Sequence, residues 1–145
     1  MSMKNKPTVV AGVGMVAFGK PGASDNYDVM GEQAIREALS DSGLSFADIE
    51  QAYAGYVYGD STCGQKVIYK VGMTGIPVFN VNNNCSTGSS ALYMARQAVE
   101  SGLVDCALAV GFEQMQPGAL GSVWDDRPSP FDDFDTACND IFDSD

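Results

Sequence analysis

Val78-Phe79-Asn80-Val81-Asn82-Asn83-Asn84-Cys85-Ser86-Thr87-Gly88-Ser89-Ser90-Ala91-Leu92 changes its hydrophobic period in the middle, and that change organises the chain. Val78 to Asn82 is a short β-branched and aromatic run and predicts a strand. From Ser89 to Ser101, Leu92, Ala95 and Val99 recur on one helical stripe beside Ala91 and Ala98, and Gly102 follows as a left-handed cap. Cys85 therefore falls at the hinge where a strand ends and a helix begins. Unpaired N–H groups at a helix N-terminus carry partial positive charge, which favours a thiolate and can face a thioester oxygen. Small neighbours, Ser86 to Ser90, let a carbonyl approach the sulfur, and Gly88 allows close backbone packing. The competing reading is equally physical: free cysteines are commonly buried, and small residues also occur wherever a helix packs tightly on a sheet. Asn82 to Asn84 read as residues that bond the turn locally.

Working outward, the same alternation of strand and helix repeats. Thr8 to Gly14 is an apolar, β-branched run ended by glycines and predicts a first strand, buried on both faces. Asp28 to Ser42 places Met30, Ala34 and Ala38 at spacing four beside Ile35 and Leu39, with Gly43 as cap, and predicts an amphipathic helix. Ser45 to Asp48 resembles a capping box, Ala52 to Tyr58 a second strand, Gly64 to Val71 a short helix, and Cys106 to Gly111 a fourth buried strand. The order βαβαβαβ is that of an α/β fold, a mostly parallel sheet with helices on both faces. The expected organisation is an α/β domain over residues 1–116. Residues 117–145 then begin a loop region and continue as an acidic tail, loop to disordered because Pro117, Gly118, Gly121, Pro128 and Pro130 break any period.

Composition narrows the function classes. The net charge is −11, and the eight Asp and one Arg between Asp125 and Asp145 account for −7 of it. An acidic chain without a Lys/Arg cluster argues against nucleic acid and anionic membranes as partners. Cys63, Cys85, Cys106 and Cys138 form no C-x-x-C pair and the chain has no histidine, so no metal site is expected. Cys63, Cys106 and Cys138 read as small core residues, and Tyr53, Tyr56 and Tyr58 as strand packing. Gly12-Val13-Gly14 is followed by no helix, and no phosphate-loop Lys-Ser/Thr is present, which argues against nucleotide binding. No stretch approaches a membrane span or a secretory leader. The chain reads as cytoplasmic, or peroxisomal in a eukaryotic setting.

Several long segments together resemble the thiolase family, with the sterol-carrier-protein-linked (lipid-transfer) thiolases as the nearest likeness. They are Gly55-Tyr56-Val57-Tyr58-Gly59-Asp60-Ser61-Thr62-Cys63-Gly64-Gln65, Gly72-Met73-Thr74-Gly75-Ile76-Pro77, Asn80 to Ser89 around Cys85, and Gly111-Phe112-Glu113-Gln114-Met115. The resemblance implies a thiolase fold of two similar halves, of which this chain supplies most of the first. It implies acyl transfer on a 3-oxoacyl-CoA (an acetyl-CoA C-acyltransferase), with coenzyme A as co-substrate and no bound cofactor. Cys85 matches the acyl-accepting nucleophile, and Ser86 and Gly88 the substrate-binding positions beside it. The family's acid/base cysteine and histidines belong to the second half, so the resemblance implies a fragment, a truncated product or one piece of a split enzyme. It also implies association, either as a homodimer around Val78 to Asn82 or with a missing C-terminal half. Two alternatives stay open: a non-catalytic binding or assembly module on the same scaffold, and a retro-aldolase acting on steroid side-chain CoA esters. Retention of Cys85 weighs against the second.

Overall fold

The computed structural model describes residues 7–118, 120–121 and 124–142. It has two compact units, Met1–Met115 and Gln116–Asp145. In the first, α1 (Tyr27–Ser42) and a short 3-10 turn (Phe46–Asp48) precede β1 (Gln51–Gly55), α2 (Cys63–Val71), β2 (Val78–Val81), α3 (Thr87–Glu100) and β3 (Ala107–Gly111). The three strands form one parallel sheet in the order β2-β1-β3. Ala52 pairs with Val78 on one side and Leu108 on the other, and Gly55 with Val81 and Gly111.

β1 shows why helices cover both faces. Ala52 and Ala54 pack with Ile35 of α1, Val67 and Ile68 of α2, and Leu108 and Val110 of β3. Tyr53, pointing the other way, packs with Ala91, Ala95 and Ala98 of α3 and with Val104. Ile35, Val67 and Ile68 are the largest fully buried side chains, each stabilising the fold by about 1.5–3 kcal/mol. Local signals fall where expected. Gly43 caps α1 with φ 71°, and the Ser45 N–H and hydroxyl both donate to Asp48 Oδ2, at 2.8 and 2.7 Å. The buried stripe of α3 is Thr87, Ala91, Ala95 and Ala98; Leu92, expected on it, is 56% exposed. Alanines rather than a leucine face the sheet, which lets the helix sit close to it.

Two expectations are corrected. Thr8 to Gly14 has no regular secondary structure, and Val9, Val10 and Val13 are exposed. The segment runs along α1, where the Val13 N–H donates to Asp41 Oδ2 at 2.8 Å and the Met15 N–H to Glu37 Oε2 at 3.0 Å. Donors spent on helix carboxylates cannot join a ladder. An open cleft of about 670 Å³ lies between residues 7–12 and β3, with α1 and α3 also contributing to its walls. The β order thus begins with α1 instead of a strand. The second correction is in the Gln116–Asp145 unit, where residues 132–142, expected as loop to disordered, form α4 (Asp132–Phe142). Asp132, Asp133 and Asp135 occupy its first turn, where negative charge suits the helix dipole, and Thr136 Oγ1 donates to the Asp132 carbonyl at 2.8 Å. In the same unit Arg127 pairs with Asp126 at 2.7 Å and lies 4.7 Å from the Trp124 ring centroid. Among the described residues no helix is long and apolar enough to cross a membrane.

Candidate active site

β1, β2 and β3 run parallel, so the chain leaves all three at one edge of the sheet, which is where ligands bind in open parallel sheets. The turn Asn82–Ser86 sits there, between the end of β2 and the first residue of α3. Asn84 adopts φ 47°, a left-handed conformation that asparagine tolerates better than most residues, and this reverses the chain just before Cys85. The reversal is held from inside. Thr87, buried at 5% exposure, donates its hydroxyl to the Asn84 carbonyl at 2.6 Å and accepts the Asn83 N–H at 2.8 Å. Asn83 Nδ2 donates to Ser90 Oγ at 2.8 Å, and Ser90 Oγ donates to the Ser86 carbonyl at 3.0 Å. The asparagines thus bond the turn locally, as expected of them.

Cys85 projects from this framework as an exposed free thiol, with Asn84 Oδ1 3.7 Å from its sulfur. Ser86, expected to help bind substrate, is exposed, but its N–H and hydroxyl both donate to the Asn83 carbonyl, at 3.1 and 2.8 Å. Thr87 N–H likewise donates to the Asn84 carbonyl at 3.1 Å. The Ser86 and Thr87 amides are thus spent inside the turn, and the Ser90 N–H donates to the Ser86 carbonyl at 2.9 Å; free helix N–H groups belong to the first turn of a helix, where no intrahelical acceptor precedes them. Gly88 stands there, and a Cβ on it would meet nothing within 4 Å. Its glycine leaves open space instead of the tight packing expected. Tight packing occurs on the sheet side: a Cβ on Gly55 would lie 2.7 Å from Thr87 Cγ2 and 2.9 Å from the Thr87 carbonyl oxygen. A Cβ on Gly111, at the end of β3, would lie 3.4 Å from Gly88 Cα, an ordinary contact. Gly55, at the end of β1, lets α3 settle onto the sheet edge.

The other cysteines are differently placed. Cys63 is buried at the start of α2, and the interaction with its thiol, together with burial, pushes the Tyr27 phenol up to about 12. Burial, then the negative charges of Asp48 and Glu50, raise the Cys106 thiol above its usual range. Cys138 lies on α4 in the other unit. Two residues that sequence reasoning did not single out hold the edge together. One is Thr87, whose signal was only a small hydroxyl two residues after a cysteine. The other is Glu113, a lone acid directly after an apolar strand, whose carboxylate accepts the Val57 and Tyr58 N–H groups at 2.8 and 3.0 Å. Among the described residues no group of three His, Cys, Asp or Glu side chains could hold a metal ion.

With this geometry in hand, residues 8–122 match the family described as thiolase, N-terminal domain. Sterol carrier protein 2 of Gallus gallus is 54% identical over 125 residues, covering 85% of this chain and 23% of that protein. The benzoylsuccinyl-CoA thiolase subunit BbsB of Thauera aromatica is 36% identical over 106 residues, covering 72% of this chain and 27% of that protein. The crystal structure of 3-oxoacyl-(acyl-carrier-protein) synthase III from Aquifex aeolicus superposes with a TM-score of 0.57 at 24% identity, over 63% of this chain and 30% of that one, a likeness of fold. The chain spans about a quarter of the length of these curated relatives. A family match running through the strand, the Cys85 turn and the helix behind it, on a parallel sheet covered on both faces, shows that this chain belongs to the thiolase family and carries its N-terminal domain.

Proposed function

We propose that the chain is the nucleophile-bearing part of a thiolase-type acyltransferase, in which Cys85 accepts an acyl group from a coenzyme A thioester. One observation carries this: Cys85 is an exposed thiol on an internally bonded turn at the carboxyl edge of a parallel sheet, directly before a helix N-terminus. In the proposed step the Cys85 thiol loses its proton to water and the thiolate attacks the thioester carbonyl, negative charge collects on its oxygen near the first-turn amides, and the coenzyme A thiolate departs as the enzyme thioester forms. A thiolate leaves without being protonated. Cleavage of a 3-oxoacyl-CoA is harder, because attack at the keto carbon breaks a carbon–carbon bond and the departing acetyl-CoA enolate must take up a proton. General acid help is typically worth roughly 10²–10⁴-fold, and this chain contains no histidine to supply it. The acid and base of the full reaction therefore come from a second half, as the family resemblance implies. Of the two positions expected to bind substrate, Ser86 supports the turn and Gly88 leaves the approach to the sulfur open. β2, an outer strand with Phe79 43% exposed, is the surface proposed for pairing with a second copy.

The test is incubation of the chain with octanoyl-CoA, followed by intact-mass measurement and peptide mapping. A single octanoyl adduct on Cys85, absent from Cys85→Ala, is expected; an adduct on another cysteine, or none, overturns the proposal. The second reading, a non-catalytic scaffold module, is favoured by the missing histidine. Sustained thiolytic turnover of acetoacetyl-CoA by the purified chain would exclude it.

A further inference from the structure

The three residues after β3 form a clasp that the chemistry at Cys85 does not by itself account for. The Phe112 N–H donates to the Gly55 carbonyl at 3.1 Å, and the Phe112 ring stacks on Tyr27 and Tyr56 at centroid distances of 5.4 and 5.2 Å. Glu113 Oε2 accepts the Val57 N–H at 2.8 Å and Oε1 the Tyr58 N–H at 3.0 Å. Gln114 Oε1 accepts the Tyr27 N–H at 3.0 Å. On its other side the same loop is tied to β2, since the Tyr56 N–H donates to the Val81 carbonyl at 3.3 Å. Val81 is the last residue of β2, and the chain continues from it into Asn82–Cys85. The loop after β1 is thus stitched between the end of β2, which leads into the turn that carries the thiol, and the carboxylate of Glu113.

We infer that Glu113 is a positioning residue for acyl transfer at Cys85, holding the Tyr56–Tyr58 loop as a fixed wall beside the nucleophile's turn; this rests on the acyl-transfer reading above. Two successive N–H groups directed at one place form a small anion nest, and a carboxylate satisfies both with charge-assisted bonds. A glutamine keeps the length but offers a single oxygen, so its amino group would face an N–H. Val57, Tyr58 and Glu113 are all half-buried, so water replaces the lost acceptor poorly. The loop would then move independently of β2, and an acyl chain seated against it would lose its alignment with the sulfur. A small reagent such as iodoacetamide needs no such wall.

The experiment compares wild type, Glu113→Gln and Glu113→Ala by three readouts: octanoylation of Cys85 by octanoyl-CoA, its alkylation by iodoacetamide, and backbone hydrogen exchange by mass spectrometry. Both variants are expected to octanoylate about ten-fold more slowly or worse, with alanine below glutamine, because bonds to a charged acceptor are lost. Alkylation should stay within about two-fold, since the Cys85 thiol is already exposed and a small reagent needs no fixed wall beside it. Exchange should quicken at Val57 and Tyr58 and also across Asn82–Thr87. Octanoylation and alkylation falling together would mean general loosening and would overturn the inference. So would faster exchange at Val57 and Tyr58 with Asn82–Thr87 and octanoylation unchanged, which would make Glu113 a local clamp. A wild-type chain that takes no octanoyl group at Cys85 overturns the acyl-transfer reading and this one with it, whereas acylation at wild-type rate in both variants overturns this one alone.

Discussion

Gly55→Ala should damage the fold and the Cys85 turn together, and the structure sets the scale. The new methyl would lie 2.7 Å from Thr87 Cγ2 and 2.9 Å from the Thr87 carbonyl oxygen, both well inside contact distance. One of these neighbours is backbone, so no side-chain rotation relieves the clash; α3 must lift from the sheet edge or β1 must bend. Overpacking of this kind costs about 1–3 kcal/mol, and a backbone neighbour places it in the upper part of that range. Removing a glycine from a strand returns roughly 0.5–1 kcal/mol. The net expectation is a loss of about 1.5–2 kcal/mol, which for a chain of this size lowers Tm by roughly 5–8 °C. Because Thr87 also bonds Asn83 and Asn84, the displacement should reach the Cys85 turn and change its iodoacetamide labelling rate. Urea unfolding followed by circular dichroism measures the stability, and Thr87→Ser in the same background supplies the control. Loss of Cγ2 removes the 2.7 Å contact but not the backbone one, so the double variant should recover only part of the loss. Unchanged stability in Gly55→Ala with unchanged labelling would refute the placement of α3 on the sheet edge.

Gly88→Ala is the opposite case: a methyl there meets nothing within 4 Å, so the helix should gain up to about 1 kcal/mol while octanoylation slows as the approach narrows. Lower stability in that variant would contradict the open space described. At pH 7.5, peptide mapping after brief iodoacetamide treatment should find Cys85 modified at least about ten-fold faster than buried Cys63 or Cys106, whose thiol is held up by burial and by Asp48 and Glu50. Labelling of Cys106 at the rate of Cys85 would count against this. Asp28 Oδ2 lies 3.1 Å from Lys70 Nζ, and that bond holds its carboxyl below the usual range. A depressed folded value means the ion pair stabilises above the unfolded carboxylate pKa of about 3.9 and stops doing so as pH falls through the lower folded value. The stability gap between wild type and Asp28→Asn should therefore be full at pH 7 and shrink below about pH 4; a gap that widens in acid would reverse the assignment.

Helices α1 and α3, the 3-10 turn and strands β1 to β3 were legible because each is specified locally, by apolar period, capping glycine or β-branched run. The candidate nucleophile was legible for a related reason, since a strand signal and a helix signal flank Cys85 at close range. What local pattern could not show was competition for hydrogen bonds. Thr8 to Gly14 has the composition of a strand, but its Val13 amide and the Met15 amide just beyond it meet carboxylates of α1, which lie 28 and 22 residues away in sequence. Asp132–Phe142 looked irregular because prolines precede it and aspartates fill it, yet those aspartates suit the first turn of a helix.

Sequence alone, then, determined the α/β class, the parallel sheet covered on both faces, and Cys85 as the residue to test, because these depend on near neighbours and on side-chain type. Tertiary structure decided what surrounds that thiol. Ser86 spends its donors inside the turn, Gly88 opens space, Gly55 and not Gly88 admits the helix to the sheet, and Glu113 reaches back 55 and 56 residues to two loop amides. Each is a matter of which backbone groups are left unpaired once three strand ends meet at one edge, and that is settled only when the chain has folded.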